Sequence, residues 1–164
     1  MTLKAAVVTV SDRASRGEYE DRSGPLAHEG LIAAGLDCPA VVLVPDDAPA
    51  ITAAIRDAVA AGARVVLTTG GTGVGPRDVT PEATAALGGR ELPGIAEAIR
   101  RKGLEKTPFA ITSRGIAVVV EVEGATAAAL VVNAPGSTGG ARDAVAVLAP
   151  IVEHVVAQLD GYGH

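Results

Sequence analysis

The sequence has 164 residues, a formal net charge of −5, and a composition that is 48% apolar but only 2% aromatic. This length fits one domain of ordinary size, and its core must consist of Val, Ile, Leu and Ala. The acidic balance argues against a nucleic-acid partner, because nucleic-acid-binding proteins usually present a basic face to the phosphates. It does not exclude a small anion, which backbone N–H groups bind locally.

The first seventy residues predict alternating strands and helices. Strands are predicted at 4–10, 40–44 and 64–69, and helices at 51–61 and in the stretch that follows the 23–25 turn. Gly35 and Gly62 end the two helices, since a left-handed C-terminal cap usually requires glycine. Because the strands are continuously apolar instead of alternating, we expect a mainly parallel sheet with helices on both faces.

The second half of the chain continues this α/β pattern. Helices are predicted from about Pro81, over 92–104 and over 141–159, and β-rich runs over 115–121 and 128–132. Thr80 is the natural N-cap before Pro81, and Glu123-Gly124 predicts a hairpin turn between the two β runs. Without a repeat or linker, residues 1–164 are expected to form one domain, with a frayed tail at 160–164.

Cysteine content and hydrophobic runs indicate the compartment. Cys38 is the only cysteine, which excludes an intrachain disulfide and suits a reducing environment. The sequence has no signal-peptide pattern and no run of about 18 apolar residues. We therefore expect a cytoplasmic protein without a membrane partner.

Four polar loops follow predicted strands, at 11–13, 45–47, 70–78 and 133–137. Open parallel sheets bind their ligands beyond the carboxyl ends of the strands, so these loops are expected to meet at one edge. All four are rich in Gly, Asp, Ser, Thr or Asn. This composition predicts a site for a polar and phosphorylated ligand.

The segment 68–75, TTGGTGVG, is the most distinctive of these loops. Glycines adopt positive φ and let a ligand approach the backbone, while successive N–H groups form an anion nest. It lacks the Gly-Lys-Ser/Thr of a P-loop and does not follow the first strand, as a dinucleotide fingerprint would. Taken alone, a tight strand-to-helix turn explains it equally well.

Carboxylates at the same edge indicate a metal site. Asp78 lies between the glycine loop and a helix start, and Asp46 is free to face the crevice if Asp47 caps the next helix. Two such acids suit Mg²⁺, which takes a few carboxylates with water and phosphate oxygens. Asp12 is a third candidate. A loop-internal hydrogen bond at Asp78, or capping alone at 46–47, remains an alternative.

Basic residues occur at Arg114 and in the segment 100–102. Arg114 either reaches an anion or forms a surface ion pair, and the segment 100–102 is expected to be the solvated face of its helix. The histidines and Cys38 lack the spacing of a zinc site.

Together these motifs resemble the Mog/MoaB molybdopterin-binding family, in the same order and over about residues 4–155. The matching segments are VTVSDR (8–13), PD (45–46), TTGGTGVGPRDVT (68–80), ELPG (91–94), TSR (112–114) and PG (135–136). The resemblance implies a three-layer α/β domain, often a homotrimer, that binds molybdopterin at the glycine edge. In Mog-type members it implies transfer of AMP from Mg-ATP to the terminal phosphate of molybdopterin, with release of pyrophosphate.

The resemblance also implies roles for particular residues. Asp46 and Asp78 look like the two essential acids and the ligands of Mg²⁺. The residues that it places in the pterin and nucleotide site are Ser11, Asp12, Thr69, Gly70, Gly71, Thr72, Gly73, Pro135, Gly136 and Ser137.

The continuation STGG at 137–140 departs from the Mog pattern, which often carries lysine there, and is more like the MoaB branch. Retention of Asp78 favours catalysis. The alternatives are a MoaB-type carrier that binds molybdopterin without turnover, and a nucleotide pyrophosphatase on a related domain such as those joined to competence-damage-type proteins. Fold alone does not decide between them.

Overall fold

The computed structural model describes residues 2–162, in which six strands form one sheet. In chain order the strands are β1 (Ala5–Val10), β2 (Val41–Val44), β3 (Val65–Thr69), β4 (Arg90–Glu91), β5 (Ala117–Val120) and β6 (Ala129–Ala134). The sheet order is β2-β1-β3-β6-β5-β4. The pairs from β2 to β6 are parallel, and β5 is antiparallel to both of its neighbours. The mainly parallel sheet is confirmed.

Seven α-helices and one 3-10 helix accompany the sheet in the described part of the chain. They are α1 (Asp12–Ser15), α2 (Ser23–Ala33), α3 (Ala48–Ala60), α4 (Thr80–Ala85), α5 (Pro93–Leu104), the 3-10 helix (Pro108–Thr112), α6 (Thr138–Leu148) and α7 (Val152–Leu159). None of the helices within residues 2–162 is long and apolar enough to cross a membrane.

Two cores lie on opposite faces of the sheet. Successive strand residues point to opposite faces. Val7 belongs to the core that includes residues of α2, α5, α6 and α7, whereas Val8 belongs to the core that includes residues of α3 and α4. Apart from Cys38, the buried apolar side chains are all aliphatic, as the composition predicts. The three-layer α/β fold is therefore confirmed.

Several local predictions are wrong. The predicted helix 141–159 is two helices, α6 and α7, because Pro150 has no N–H to continue the hydrogen-bond ladder. The polar segment 11–13 contains the start of α1, which the Ser11 hydroxyl caps. Val79, not Thr80, is the N-cap of α4. The short strand β4 and the 3-10 helix were not predicted at all.

The predicted frayed tail is ordered where the structure describes it. The Asp160 carboxylate accepts a hydrogen bond from Arg64 Nη2 at 2.7 Å, and the Tyr162 N–H donates to the Ala157 carbonyl. Residues 163 and 164 lie outside the described residues. The turn predicted at Glu123-Gly124 is present, with Gly124 at φ +82 between the antiparallel β5 and β6.

Candidate active site

The carboxyl ends of β1, β2, β3 and β6 bring the four polar loops to one edge, as predicted. Two backbone–side-chain hydrogen bonds tie Asp12 to Asp46. The Gly70 N–H donates to the Ala134 carbonyl at 3.1 Å, which joins the glycine loop to the end of β6. Loops from distant parts of the sequence thus form one continuous surface.

Glycine is required at the centre of this surface. Gly70 and Gly71 have φ of +95 and +65, where side chains are disfavoured. A Cβ at Gly70 would lie 2.2 Å from the Val10 carbonyl oxygen, and one at Gly71 would lie 2.3 Å from Thr80 Oγ1 and 3.1 Å from Asp46 Oδ1. The Thr80 hydroxyl donates to the Gly70 carbonyl at 2.9 Å, which explains why it does not cap α4. The backbone here is open to a ligand.

Asp78 lies across the same loop. Its Oδ2 accepts a hydrogen bond from the Gly75 N–H at 2.8 Å, so the loop-internal bond considered above is present. A Cβ on Gly73 would lie 2.9 Å from this oxygen. Glycine at this position therefore leaves room for the Asp78 carboxylate. Oδ1 has no hydrogen bond within residues 2–162. One oxygen positions the side chain and the other is available to a ligand.

Asp46 is half-buried and closely held. Its Oδ2 accepts from the Asp12 N–H at 2.8 Å, and its own N–H donates to Asp12 Oδ1 at 3.0 Å. Burial raises the pKa of Asp46 above its ordinary value, and the negative charges of Asp12 and Asp78 raise it further. A hydrogen bond from Arg77 lowers the pKa of Asp12. Asp47 caps α3 through the Ala50 N–H, as predicted.

Arg114 donates hydrogen bonds to the backbone of the glycine loop. Its Nε donates to the Gly73 carbonyl at 2.7 Å, and its Nη2 donates to the Asp78 carbonyl at 2.8 Å. The guanidinium also forms an ion pair with Glu82. The surface ion pair considered above is therefore present, in addition to the hydrogen bonds to the loop. Arg100 was expected to face solvent, but its Nη1 donates to the Ser113 and Gly115 carbonyls. Both arginines fix backbone that leads to the site.

Two cavities open at this edge. The larger, which we call the Phe109 cavity, has a volume of about 560 Å³ and is walled by the glycine loop, the C-terminal end of α5, the 3-10 helix and the start of α6. The second, the Thr9 cavity, has a volume of about 510 Å³ and lies between the ends of β1 and β3 and the start of α2. Gly71, Asp78, Gly136 and Ser137 line both. The cavities therefore meet at Asp78.

Most of the predicted site residues line one cavity or the other. Thr72, Gly73 and Pro135 line the Phe109 cavity; Ser11, Asp46 and Gly70 line the Thr9 cavity. Two residues line neither. Thr69 is fully buried, with its hydroxyl 3.0 Å from Ser23 Oγ, and Asp12 contacts Asp46 and Arg77 instead.

Sequence inspection missed several side chains in the cavities. Asp143 and Lys106 form an ion pair in the Phe109 cavity, and Thr9 lines the other cavity with a buried hydroxyl that has no partner in the described region. Asp143 interrupts the apolar face of α6, and Thr9 interrupts an apolar strand. A polar residue within an apolar run is the sequence signal that could have indicated these two positions. Phe109 is the only phenylalanine and is 76% exposed.

Metal binding here depends on two carboxylates. Residues 2–162 contain no group of three His, Cys, Asp or Glu side chains that suits a metal ion. Mg²⁺ is often held by one or two carboxylates together with substrate phosphates and water. Asp46 Oδ1 faces the space that a Cβ on Gly71 would take. Burial raises the pKa of Asp46, and a nearby cation would stabilise its ionised form. Asp46 and Asp78 therefore fit Mg²⁺ beside a phosphate.

The fold and this edge define a three-layer α/β protein whose candidate site lies at the carboxyl ends of its parallel strands. A family model described as "probable molybdopterin binding domain" matches residues 6–154. The chain belongs to this family.

Individual relatives carry more specific names. The molybdenum cofactor biosynthesis bifunctional protein of Synechococcus elongatus is 40% identical over 98% of this chain, which spans about half that relative, 48% of its length. The molybdopterin adenylyltransferase of Pyrococcus furiosus is 35% identical over 94% of this chain and 90% of its own. The crystal structure of the tungsten cofactor synthesizing protein MoaB from Pyrococcus furiosus is similar to this one, with a TM-score of 0.87 at 33% identity over 96% of this chain and 97% of that one.

Proposed function

We propose that this protein acts in molybdenum cofactor biosynthesis and transfers AMP from Mg-ATP to the terminal phosphate of molybdopterin, releasing pyrophosphate. The observation that carries the proposal is the meeting of two cavities at Asp78. A transferase for two large substrates must bring their phosphates together while their ring systems lie apart, and two cavities of similar volume with a shared wall provide this. The relatives named for adenylyl transfer support the same activity.

In this reaction an oxygen of the molybdopterin phosphate attacks the α-phosphorus of ATP. The new P–O bond forms as the bond from the α-phosphorus to the bridging oxygen of the β-phosphate breaks, and pyrophosphate leaves with that electron pair. Because the nucleophile is already an anionic oxygen, no strong general base is needed. Catalysis then consists of aligning two anions and offsetting their charge, which is the task of the Gly71 backbone and the Ser137 hydroxyl at the shared wall.

Asp46 and Asp78 would be the residues that hold Mg²⁺ in this reaction. Such an ion would supply positive charge to offset the charge that develops at the α-phosphate of ATP. The chain's own contribution is to aim the two carboxylates: Asp12 fixes Asp46 through two hydrogen bonds, and the Gly75 N–H fixes Asp78 through one. Mg²⁺, ATP and molybdopterin are accordingly the cofactor and substrates of the proposed reaction.

A second candidate function is a carrier that binds molybdopterin without turnover. The sequence at 137–140, Ser-Thr-Gly-Gly, favours it, since no lysine follows the Pro135-Gly136 turn to meet a nucleotide phosphate. The retained pair of carboxylates favours the transferase instead.

The test is incubation of the pure protein with freshly prepared molybdopterin, ATP and Mg²⁺, with adenylylated pterin followed by chromatography. Asp78→Asn should form at least a hundredfold less product, as expected when charge stabilisation at the reacting group is lost, while Asp57→Asn, on the exposed face of α3, should match the native protein. Molybdopterin bound without product in any sample would support the carrier. Hydrolysis of a dinucleotide without pterin would support a pyrophosphatase.

We also propose that the protein assembles as a homotrimer. Strand β2 is an edge strand with two exposed apolar side chains, Val42 and Leu43, which are 44% and 40% exposed. Exposed edges of this kind are usually covered in native proteins. Light scattering during gel filtration should give the mass of three chains, and Leu43→Glu should lower it; a native mass of one chain would overturn the proposal.

A further inference from the structure

Arg77 joins two loops at the edge of the candidate site. Its Nε donates to Asp12 Oδ2 at 3.0 Å and its Nη2 donates to Asp12 Oδ1 at 3.1 Å, the bidentate geometry in which a guanidinium pairs with a carboxylate. Arg77 lies on the glycine loop after β3, whereas Asp12 follows β1. Because Arg77 lines neither cavity, the proposed reaction gives this ion pair no direct task.

The ion pair occupies both oxygens of the Asp12 carboxylate. Within residues 2–162, Oδ2 accepts from Arg77 alone, and Oδ1 accepts from Arg77 and from the Asp46 N–H at 3.0 Å. The Asp12 side chain is 21% exposed, whereas that of Arg77 is 67% exposed. Two cations at one carboxylate repel each other, so a metal ion would bind Asp12 only by displacing the guanidinium.

Arg77 also offsets acidic charge at this edge. Four carboxylates follow the ends of β1, β2 and β3, at Asp12, Asp46, Asp47 and Asp78. In the described part of the chain, Arg77 is the only basic side chain bonded to any of them. The hydrogen bond to Asp12 is the main reason that the pKa of Arg77 is raised above its ordinary value, and the charges of Asp12, Asp46 and Asp47 raise it further. The guanidinium therefore takes part of the role that a bound cation would have.

With Asp12 engaged in this way, Asp46 and Asp78 are the carboxylates that remain for Mg²⁺. The number of charged ligands sets how tightly an oxygen site holds a divalent cation. Mg²⁺ in particular is usually held by one or two carboxylates together with phosphate oxygens, and not by protein ligands alone. Two carboxylates beside a guanidinium should therefore bind the free ion weakly until phosphate oxygens complete its ligand shell.

We propose that Arg77 keeps Asp12 out of the metal site, so that the protein binds Mg²⁺ together with the phosphates of a nucleotide and does not hold it as a resident ion. Arg77 is thus a positioning residue that acts through Asp12. The inference rests on the proposed function for the identity of the metal and the nucleotide. It deepens that function, because the cation and the nucleotide then bind as one unit.

Mn²⁺ is a suitable probe, since it takes the same oxygen ligands as Mg²⁺ and its unbound concentration is measured by electron paramagnetic resonance. The full chain is titrated with Mn²⁺ in the absence of nucleotide. Separately, equilibrium dialysis measures the binding of α,β-methylene-ATP, which cannot be cleaved between its α- and β-phosphates. We expect the native protein to bind this analogue at least tenfold more tightly with Mn²⁺ than without it, as binding linkage requires when the two ligands share a site.

Arg77→Met tests the guanidinium itself. Without nucleotide this variant should bind Mn²⁺ at least tenfold more tightly than the native protein, because Asp12 becomes a third carboxylate ligand. Adding Asp12→Asn to the variant should reverse the increase. Arg16→Met is the matched control: the charge of Arg16 also acts on Asp12, but its guanidinium donates to Glu18. Its removal should change Mn²⁺ binding less than threefold.

Equal Mn²⁺ affinity of the native protein and Arg77→Met would overturn the inference. An equal increase in Arg16→Met, or an increase that persists when Asp12→Asn is added, would do the same. Arg77→Gln, which removes the charge and keeps one neutral donor, takes the place of Arg77→Met if that variant does not fold. The native protein also tests the inference by itself, because binding of the analogue that does not depend on Mn²⁺ would contradict it.

Product formation is scored separately from metal binding. A protein that shows this pattern of Mn²⁺ binding but makes no adenylylated pterin keeps the inference and loses the transferase. A protein that makes the product, but whose Arg77→Met variant binds Mn²⁺ no more tightly than the native chain, loses only this inference.

Discussion

Asp12 and Asp46 hold each other by two reciprocal hydrogen bonds, each backbone N–H donating to the other's carboxylate, at 2.8 and 3.0 Å. Arg77 adds an ion pair to Asp12 at 3.0 Å. Asp46, which lines the Thr9 cavity, is therefore positioned by Asp12, which lines neither cavity. The position of the Asp46 carboxylate after β2 thus depends on Asp12, which follows the neighbouring strand β1.

This relationship predicts an unequal effect of two substitutions at Asp12. Asp12→Ala removes the acceptor for the Asp46 N–H and should lower adenylyl transfer ten- to a hundredfold, a loss typical of outer-shell partners of metal ligands. Asp12→Asn keeps a carbonyl acceptor and should lower it much less. The assay is product formation as a function of Mg²⁺ concentration; equal losses in both variants would show that charge, not the hydrogen bond, is what matters.

The raised pKa of Asp46 predicts a stability cost at neutral pH. A carboxyl group whose pKa is raised by folding binds its proton more tightly in the folded state, so stability falls as pH rises through the interval above the ordinary value of 3.8. Asp46→Asn should therefore raise the Tm at about pH 7 by roughly 1–3 °C, and the gain should shrink as the pH falls toward 3.8. A gain that is the same at both ends of this range would contradict the titration of Asp46.

Arg114 should matter for both stability and turnover. Arg114→Met removes the donors to the Gly73 and Asp78 carbonyls, which should cost about 1–3 kcal/mol in the free energy of unfolding and lower kcat because Asp78 loses its support. Arg56→Met, at an exposed position on α3, is the matched control and should change neither. Denaturant unfolding and the transfer assay measure the two effects; intact activity with lost stability would make the arginine structural only.

Buried polar contacts behind the loop predict a larger loss. Asn133 donates from Nδ2 to the Thr68 and Thr84 hydroxyls, each at 3.0 Å, and its Oδ1 accepts from the Ile116 N–H. Asn133→Leu would leave these buried groups without partners and should cost about 2–4 kcal/mol. Urea unfolding checks the value, and a loss below about 1 kcal/mol would indicate that water replaces the amide.

The parts of the fold that periodicity controls were predictable. The continuous apolar strands β1 and β3 and the glycines after α2 and α3 indicate the parallel sheet, because local pattern and tertiary burial agree there. The one-turn helix α1 and the 3-10 helix were not predictable, since such short segments depend on tertiary contacts. The prediction of one helix over 141–159 is wrong because the amphipathic pattern continues through Pro150, where the chain ends α6 and starts α7.

Some residues of the candidate site could be predicted from the sequence and others could not. Loops that follow strands can be placed from the sequence, and the order of the strands is enough to bring Asp46, Asp78 and the glycines to one edge. Lys106 and Asp143 are 37 residues apart, and Thr9 lies against Gly24 only because α2 packs over β1. Pairings between helices carry no local signature, and the cavities that they form were therefore missed.

The glycine loop allows a comparison of two substitutions with the same backbone strain. Gly71 and Gly17 have φ of +65 and +74, but a Cβ would lie 2.3 Å from Thr80 Oγ1 at Gly71 and meets nothing within 4 Å at Gly17. Gly17→Ala should cost about 1–2 kcal/mol, the penalty of the left-handed region alone. Gly71→Ala should cost more than that and also abolish transfer, because Thr80 and the loop must shift into the shared wall. Equal stability losses with activity retained in both variants would mean that the loop yields without moving Asp78.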